Sequence, residues 1–313
     1  MSREKVLKDI LEAICPGRVE TGKLLAPLTT LKIGGPADWL VTVDGEKEFK
    51  ALLVLLAKLE IPWKVLGKGS NLLISDQGIR GVVLNLKESR GPDRVSVLKN
   101  NLLALEIGAG MSLSGLVRWG IKNSVTGLEF LAGIPGSLGG AWAMNAGSYG
   151  REIKDLTTYL KMISPTGKVI KKGKKELSFN YRSLTLKPGE IIFAGGLSLS
   201  PGDSEAIRKE TRRLWSKRRG NQPLKEPSCG SVFKNPPEDF AGRLIEKAGL
   251  KGMQKGGAQI SSKHANFIVN LGQARAGDVL YLMNLSRKRV WKKFGILLEP
   301  EVHLWGLGLR PLN

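Results

Sequence analysis

The chain has 313 residues, of which 42% are hydrophobic and 25% are charged. This composition is typical of a globular protein with two or three units of about 100–150 residues each. The longest apolar stretches, such as residues 51–59 and 279–285, are too short for a membrane span of ~20 residues, and residues 1–14 lack the apolar core of a signal peptide. We therefore expect a cytoplasmic protein with no membrane-spanning segment.

Lys and Arg outnumber Asp and Glu by 49 to 28, which gives a net charge of +21. Such an excess favours an anionic partner, either a phosphorylated small molecule or nucleic acid, although a solvated basic surface explains it as well. Two cysteines (Cys15 and Cys229) and two histidines (His264 and His303) are too few for a disulfide framework or a zinc site. We expect reduced thiols and no metal.

The first predicted elements are a helix and a β-α-β unit. Residues 3–14 place apolar side chains at helical spacing, and Pro16-Gly17 ends that pattern. Residues 37–43 then have the pattern of a strand, residues 46–59 that of a helix, and residues 63–66 that of a second strand. The N-terminal part therefore alternates helix and strand.

The middle of the chain is predicted to be rich in strands. Short apolar runs alternate with turns over residues 79–110, Ser112 caps a helix that reaches Lys122, and further strands lie between residues 156 and 199. Pro201-Gly202-Asp203 marks a boundary, after which the chain is more helical. The helices predicted there are 204–218, 239–248 and 277–294, the last ended by Gly295.

A glycine-rich turn follows the strand at residues 63–66. It consists of Gly67, Lys68, Gly69, Ser70 and Asn71. Small residues at this position let backbone N–H groups approach a pyrophosphate, and the serine hydroxyl adds a further donor. The spacing matches neither the dinucleotide-binding fingerprint nor the triphosphate-binding loop, and an ordinary turn is the alternative explanation.

A second glycine-rich segment, residues 127–150, is the stronger signal. Its glycines are interleaved with Ser, Asn and Trp, and no charged residue follows Glu129 within it. So much glycine costs chain entropy unless the backbone must approach something closely, as it would an extended phosphate-bearing ligand. Tight turns and close packing are the alternative. The residues expected to contact a ligand here are Gly133, Pro135, Gly136, Ser137, Gly139, Gly140, Ala141, Asn145, Ala146 and Gly147.

Several segments appear in an order that is typical of one family. They are Thr30 to Ala37, Leu66 to Ile74, Glu129 to Gly150, Tyr181-Arg182, Cys229 to Pro236, Lys263 to Phe267 and Leu298 to Val302. Through them nearly the whole chain resembles the UDP-N-acetylenolpyruvoylglucosamine reductase family, in its shorter type without an inserted capping loop. The resemblance implies an α+β fold. It consists of a two-lobed FAD-binding domain of the vanillyl-alcohol oxidase type and a C-terminal α+β domain that binds the substrate.

The resemblance also implies a function and a division of the chain. The expected reaction is the NADPH-dependent reduction of UDP-N-acetylglucosamine enolpyruvate to UDP-N-acetylmuramate through non-covalently bound FAD, in peptidoglycan precursor synthesis. The expected domains are an N-terminal helix at 1–19, the FAD-binding domain at 20–200 with lobes at about 20–86 and 87–200, and the substrate-binding domain at 201–313. We expect a monomer.

Three residues match the catalytic positions of the family. Arg182 is expected to stabilise the enolate charge of the reaction, a role that suits a permanently charged guanidinium, and Ser231 is expected to donate the proton. Glu301 is expected to support the substrate carboxylate and the enolate. Glu299 would share its strand face by alternation, so periodicity does not separate the two. Without the resemblance, a surface arginine and a turn serine are the simpler interpretations.

The residues expected to bind the substrate are Tyr181, Arg218, Asn235, Gln259 and His264. Residues 217–219, Gln222 and Arg310 are further candidates for contacts with its diphosphate. Leu184 departs from the family pattern, which has a serine two residues after the arginine. The local structure of that loop is therefore open at this point.

Two other functions are compatible with parts of the sequence. An FAD-linked alcohol or sugar oxidase would use the glycine-rich segments, but neither histidine lies in them to tether a flavin, and the Ser231 motif has no purpose in such an enzyme. A nucleic-acid-binding protein would use the basic residues 208–219 and 287–293, but no aromatic platform or DNA-reading motif accompanies them.

Overall fold

The computed structural model describes residues 3–89, 91–98, 101–309 and 311. Within these ranges the α-helices are α1 (Arg3–Ile14), α2 (Glu46–Lys58), α3 (Leu113–Lys122), α4 (Leu138–Ala143), α5 (Ile153–Leu156), α6 (Ser204–Asn221), α7 (Ala241–Lys247) and α8 (Ala276–Phe294). The β-strands are β1 (Val19–Leu24), β2 (Pro36–Val43), β3 (Trp63–Leu66), β4 (Leu72–Ile74), β5 (Ile79–Leu86), β6 (Arg94–Val97), β7 (Leu103–Gly108), β8 (Val125–Thr126), β9 (Gly147–Ser148), β10 (Arg151–Glu152), β11 (Thr157–Ile163), β12 (Val169–Gly173), β13 (Phe179–Asn180), β14 (Ser183–Leu184), β15 (Ile191–Pro201), β16 (Ser228–Ser231), β17 (Gln254–Lys255), β18 (Ala258–Ile260), β19 (Phe267–Asn270) and β20 (His303–Trp305).

The six helices predicted from the sequence are all present. The predicted cap of α3 is correct, because the Ser112 side chain accepts a hydrogen bond from the Gly115 N–H. The predicted end of α8 is also correct, because Gly295 has the left-handed backbone (φ +69°) that favours glycine after a helix. The short helices α4 and α5 lie in segments for which the sequence predicted loops or strands.

The chain folds into two compact units, and neither is continuous in sequence. Unit 1 comprises Met1–Thr21, Trp39–Lys68 and Gly81–Ser216, and unit 2 comprises Gly22–Asp38, Gly69–Arg80 and Lys217–Asn313. The chain therefore passes from one unit to the other inside β1, β2, β5 and α6, and in the turn that follows β3. The domain boundaries expected at residues 20 and 201 differ from these limits, and they stay predictions for the two family domains.

Most of two sheets lies in unit 1. The first has the strand order β1-β2-β5-β3, with β3 and β5 parallel and Trp63 opposite Val82. The second has six strands. Five follow the order β12-β11-β15-β7-β6, in which the long strand β15 pairs antiparallel with β11 on one side and β7 on the other, and β8 pairs antiparallel with one end of β15. The mixture of parallel and antiparallel pairs agrees with the predicted α+β class.

Each of these sheets has its own hydrophobic core. One core contains α1, α2 and the first sheet, with Leu53 of α2 fully buried. The other contains α3, α4 and the six-stranded sheet around the fully buried Trp142, whose indole N–H donates to the Thr157 hydroxyl at 3.1 Å. Because that N–H has a partner, the largest side chain of this core is buried without an unsatisfied donor.

Unit 2 is built around α8 and two small sheets. One sheet has the antiparallel order β16-β19-β18-β17, and the other pairs β20 with β4 in parallel. Leu282 of α8 shares a core with Leu31, Ile33 and Leu73, which come from the two inserted segments. The Asn270 side chain also donates to the Leu31 carbonyl at 3.0 Å. The inserted segments are therefore part of the core of unit 2.

The two longest helices are α6, with 18 residues, and α8, with 19. Both carry many Lys and Arg side chains. Among the residues that the structure describes, no helix combines the length and the apolar character that crossing a bilayer requires.

Replacing Leu53 with alanine tests the core of the first sheet. Because Leu53 is fully buried, we expect Leu53→Ala to lower the free energy of unfolding by about 3 kcal/mol, through lost burial and the cavity left behind. The next residue, Val54, is 46% exposed, and Val54→Ala should cost less than about 1 kcal/mol. Urea unfolding followed by circular dichroism compares them, and equal losses would contradict this core.

Candidate active site

The first glycine-rich turn begins in unit 1. Gly67 follows β3 and faces Ser137, so that a Cβ atom on Gly67 would lie 2.4 Å from the Ser137 hydroxyl oxygen. Lys68 forms an ion pair with Glu88. Hydrogen bonds from Lys68 and from Ser112 hold the pKa of the Glu88 carboxyl below its usual value. Gly67 therefore brings the two predicted glycine-rich elements into contact.

Two helices begin beside this contact. Ser112 and Ser137 form an antiparallel backbone bridge. The Ser112 hydroxyl accepts the Gly115 N–H at the start of α3, and the Ser137 hydroxyl accepts the Gly140 N–H at the start of α4. Two helix N-termini, with the partial positive charge of their N–H groups, are thereby held together in unit 1.

Residues 109–112 complete this backbone cluster, and the sequence analysis did not assign them to it. The Gly139 N–H donates to the Ala109 carbonyl at 2.8 Å, and a Cβ on Gly139 would lie 2.8 Å from the Ala109 Cβ. A Cβ on Gly110 would lie 2.1 Å from the Lys87 carbonyl oxygen. The available signal was a pair of small residues after a strand, followed by a serine that caps a helix.

The cluster fits the phosphates of FAD. Its walls are backbone and small side chains, which a bulky phosphate group needs, and it offers the starts of two helices. The one carboxylate described above, that of Glu88, is neutralised by Lys68. Gly67, Ser137 and the start of α4 therefore form the part of the predicted cofactor site that the structure brings together in unit 1.

The remaining residues predicted to bind the cofactor are divided by their exposure. Gly133, Pro135 and Gly140 are exposed, while Gly136, Ala146 and Gly147 are half-buried. Gly133 and Gly136 have φ values of +74° and +150°, which favour glycine. Ala141 and Asn145 are buried, so their side chains pack inside unit 1.

From Gly69 onward the first glycine-rich turn belongs to unit 2. The carbonyl of Gly69 accepts the Thr30 N–H at 3.2 Å. Asn71 donates its side-chain amide to the Glu301 carbonyl at 3.0 Å and accepts the His303 N–H at 3.1 Å. Asn71 therefore holds the segment that carries Glu301, a contact that the sequence did not indicate. Ser70, between Gly69 and Asn71 in the chain, is half-buried.

Arg182 lies at the tip of a tight hairpin in unit 1. In the β13–β14 pair Asn180 is opposite Ser183, which leaves only Tyr181 and Arg182 in the loop. Arg182 has a φ of +56°, a left-handed conformation that few residues other than glycine adopt. Its guanidinium carbon lies 5.1 Å from the centre of the Tyr181 ring, a cation–π contact.

Leu184, the departure from the family pattern, anchors this hairpin. Its side chain is 7% exposed and belongs to the core around Trp142, and Leu184 is paired with Phe179 across the hairpin. A leucine buries apolar area here that a serine would not. Leucine in place of the family's serine therefore changes the packing beneath the loop and leaves the two loop residues, Tyr181 and Arg182, in place.

Ser231 and Glu301 lie on neighbouring backbone segments of unit 2. Ser231 ends β16 opposite Phe267 and follows Gly230, which has a φ of +78° and lies where the pairing of β16 with β19 is irregular. The next residue, Val232, accepts the Glu301 N–H at 2.9 Å. The structure therefore places the backbones of these two predicted catalytic residues on adjoining segments, although they are 70 positions apart in the sequence.

The expectation that Glu299 and Glu301 share a strand face is wrong. Residues 299–301 form no strand and have only an isolated bridge at Pro300. Glu299 has a side chain that is 68% exposed and pairs with Lys234 at 2.5 Å. Glu301 is half-buried, and its charge adds to the burial that raises the pKa of the Cys229 thiol to about 12. The two glutamates therefore have different surroundings.

Arg218 is the most buried of the residues predicted to bind the substrate. It lies in α6 with only 8% of its surface exposed, and its guanidinium donates to the Gln222 side chain at 3.4 Å. Tyr181, at the tip of the hairpin, is 47% exposed. Arg310, another candidate, lies outside the described residues.

The other three substrate candidates make contacts within unit 2. Asn235 accepts the Ala241 N–H at 3.1 Å and thus caps α7, and Gln259 donates to the Gly252 carbonyl at 3.2 Å. His264 packs edge-on against Phe267, and burial lowers its pKa. A neutral His264 at pH 7 supplies no positive charge for a diphosphate.

Two known protein families match separate parts of this chain. The FAD binding domain family matches residues 37–173, and the family described as UDP-N-acetylenolpyruvoylglucosamine reductase, C-terminal domain, matches residues 222–305. UDP-N-acetylenolpyruvoylglucosamine reductase 2 of Symbiobacterium thermophilum is 43% identical to this chain, over 93% of each protein. The chain belongs to the UDP-N-acetylenolpyruvoylglucosamine reductase family.

Two further relatives span the whole of the reductase. The enzyme of that name from Lachnoclostridium phytofermentans is 41% identical over 98% of this chain and 99% of its own. The crystal structure of the reductase from Thermus caldophilus has 40% identity and a TM-score of 0.78, and it covers 92% of this chain and 99% of its own. The predicted fold, an FAD-binding domain followed by the C-terminal domain of the reductases, is confirmed.

Adding a side chain at Gly67 tests the contact between the two glycine-rich elements. Because its Cβ would lie 2.4 Å from the Ser137 hydroxyl, we expect Gly67→Ala to lower FAD content at least about 10-fold, corresponding to ~1.4 kcal/mol. Ser137→Ala in the same chain removes the clashing oxygen and should restore part of the binding. FAD is measured by absorbance after gel filtration.

The control for this experiment is Gly277→Ala. Nothing lies within 4 Å of a Cβ at Gly277, which is in α8, so this variant should keep its FAD and lose no stability. Full flavin content in Gly67→Ala would contradict the assignment of this contact to the cofactor site.

Proposed function

We propose that Arg182, Ser231 and Glu301 carry out the chemistry of this reductase. As a member of its family, the chain is an FAD-dependent enzyme that uses NADPH to reduce UDP-N-acetylglucosamine enolpyruvate to UDP-N-acetylmuramate in peptidoglycan precursor synthesis. The observation that carries the residue assignment is the hydrogen bond from the Glu301 N–H to the carbonyl of Val232, which directly follows Ser231.

FAD, when bound, would supply the hydride chemistry of the reduction, with NADPH as the donor. Gly67, Ser137 and the N-termini of α3 and α4 are proposed to hold its pyrophosphate. These residues pack so closely that a Cβ at Gly67 or Gly139 would lie 2.4 or 2.8 Å from a neighbouring side-chain atom, and glycine avoids that clash. Lys68 contributes less charge than the sequence suggests, because Glu88 pairs with it.

Arg182 is proposed to stabilise the negative charge that follows hydride addition. Adding a hydride to the vinyl carbon places that charge on the neighbouring carbon and its carboxylate, as an enolate. A guanidinium remains cationic at every physiological pH and offers paired N–H donors to a carboxylate. Its position on a two-residue loop supports this role, since a left-handed arginine costs about 1–3 kcal/mol that the fold must offset elsewhere.

Ser231 is proposed to protonate the enolate carbon. A hydroxyl is a weak acid, but an enolate carbon is basic enough for a positioned neutral donor to suffice. The competing donor nearby is the thiol of Cys229, which is buried and whose raised pKa keeps it protonated. Glu301 is proposed to orient the substrate carboxylate through a proton or a water, since two bare carboxylates repel each other.

Ser231→Ala is the test of the proton donor. NADPH reduces the flavin before the substrate needs a proton. We therefore expect unchanged FAD content and an unchanged NADPH half-reaction, with reoxidation by the enolpyruvyl substrate slowed at least ~10²-fold. Ser231→Cys should retain more activity than Ser231→Ala because a thiol can donate. Stopped-flow absorbance without oxygen follows both half-reactions.

The matched control is Ser262→Ala, which changes an exposed serine of the same unit and should leave both half-reactions unchanged. If Ser231→Ala slowed both half-reactions equally, or neither, Ser231 would be a turn residue without a chemical role.

Glu301→Gln and Glu299→Gln compare the two carboxylates. Glu299 lies in solvent with Lys234, and exposed ion pairs contribute little, so Glu299→Gln should leave flavin reoxidation nearly unchanged. Glu301→Gln should slow reoxidation by about 10²-fold, because it alters a half-buried group beside Ser231. The same stopped-flow assay measures both. A larger effect at Glu299 would reverse the assignment.

We further infer a monomer that works in the cytoplasm. NADPH and the UDP-linked sugar are phosphorylated and do not cross a bilayer unaided, so the enzyme shares the compartment in which they are made. The excess of basic residues is proposed to attract these anions more than nucleic acid. Family membership supports this function over the oxidase and the nucleic-acid-binding alternatives.

A further inference from the structure

Asn145 lies in the second glycine-rich segment, but its side chain is directed into the protein. It is fully buried. Its amide group donates to the Glu152 carboxylate at 3.0 Å and to the Asn180 carbonyl at 2.9 Å, and its oxygen accepts the Lys154 N–H at 3.4 Å. Both amide hydrogens and the oxygen are therefore engaged within unit 1.

The contact with Asn180 reaches the hairpin that carries Arg182. Asn180 is the last residue of β13, and only Tyr181 separates it from Arg182. A two-residue loop has almost no freedom of its own, because the backbone at its two ends fixes its geometry. On one strand Leu184 packs into the core, and on the other the Asn180 carbonyl is held by Asn145.

We propose that Asn145 is a positioning residue that fixes the orientation of Arg182 through the Asn180 carbonyl. This inference rests on the proposed role of Arg182 in the reaction. Asn145 has a φ of +40°, a left-handed conformation in which asparagine is favoured over most residues. One residue thus makes the turn after α4 and anchors the arginine hairpin to the segment that also forms the cofactor cluster.

Two variants separate the contacts from the backbone. Asn145→Gly keeps the left-handed conformation and removes all three hydrogen bonds. Asn145→Asp keeps the size and the acceptor for the Lys154 N–H, but it has no amide to donate to the Asn180 carbonyl. Ser124→Gly is the control, since it changes another left-handed residue of unit 1 (φ +55°) outside the hairpin.

The expected result is a loss confined to the second half-reaction. Both Asn145 variants should keep their FAD and reduce it with NADPH at the normal rate, because these steps do not use Arg182. Reoxidation at saturating enolpyruvyl substrate should slow at least ~10-fold, as expected when a charge-stabilising group is misplaced. The concentration of substrate for half-maximal rate should change less. Ser124→Gly should match the unaltered enzyme.

A double-variant cycle with Arg182→Ala decides between a positioning and a general structural role. If Asn145 acts through Arg182, then Asn145→Gly should slow reoxidation little further when Arg182 is already alanine. The same fold-loss in both backgrounds, or no loss in either, would overturn the inference while leaving the role of Arg182 intact. Loss of FAD or of folding in both Asn145 variants would also overturn it.

The outcomes for the proposed function are distinct from these. If Arg182→Ala alone left reoxidation unchanged, the proposed role of Arg182 would be wrong, and the inference about Asn145 would fail with it.

Discussion

The close packing of Gly67 against Ser137 and of Gly139 against Ala109 is the constraint on which the cofactor end of unit 1 depends. A methyl group at Gly67 or Gly139 would lie 2.4–2.8 Å from its neighbour. This spacing lets α3 and α4 begin beside each other, each capped by a serine. Glycine loses more conformational entropy on folding than other residues do. In return, its lack of a side chain leaves peptide N–H groups accessible to a ligand.

In unit 2 the corresponding constraint is a set of hydrogen bonds at the two ends of β16. The Thr30 hydroxyl donates to the Ser228 carbonyl at 2.7 Å, and Val232 accepts the Glu301 N–H at 2.9 Å. The segment that begins at Thr30 thus helps to hold the strand that ends at Ser231. Ser231, at the end of this strand, and Arg182, on a two-residue loop of unit 1, are thus both held by short segments of fixed backbone.

The sequence predicted the helices well because their signals are local. Ser112 and Gly295 mark helix ends within a few residues of the apolar pattern they bound. The sequence could not predict that residues 22–38 and 69–80 join the core of the C-terminal residues, because contacts such as Asn270 with Leu31 are not written in any local pattern. Strands of two or three residues, such as β13 and β14, are also too short to show alternation.

Within the site, the sequence indicated candidate residues, and the structure adds where they lie. Arg182, Ser231 and Glu301 came from the family resemblance, and the structure adds that the last two are neighbours. Asn145 was expected at the cofactor because polar residues in glycine-rich segments commonly bind ligands, but burial assigns its amide to the protein interior. Glu299 and Glu301 were separated only by their exposure, which alternation along a strand does not determine.

The discontinuity of unit 2 has a consequence for the order in which the chain folds as it is made. Leu31, Ile33 and Leu73 are synthesised early, yet their core partners lie between Cys229 and Val302. On the ribosome these apolar side chains have no native partner until most of the chain has emerged, whereas the six-stranded sheet of unit 1 and its core are complete by residue 201. The apolar residues of these N-terminal segments are therefore exposed during translation, when chaperones can bind them.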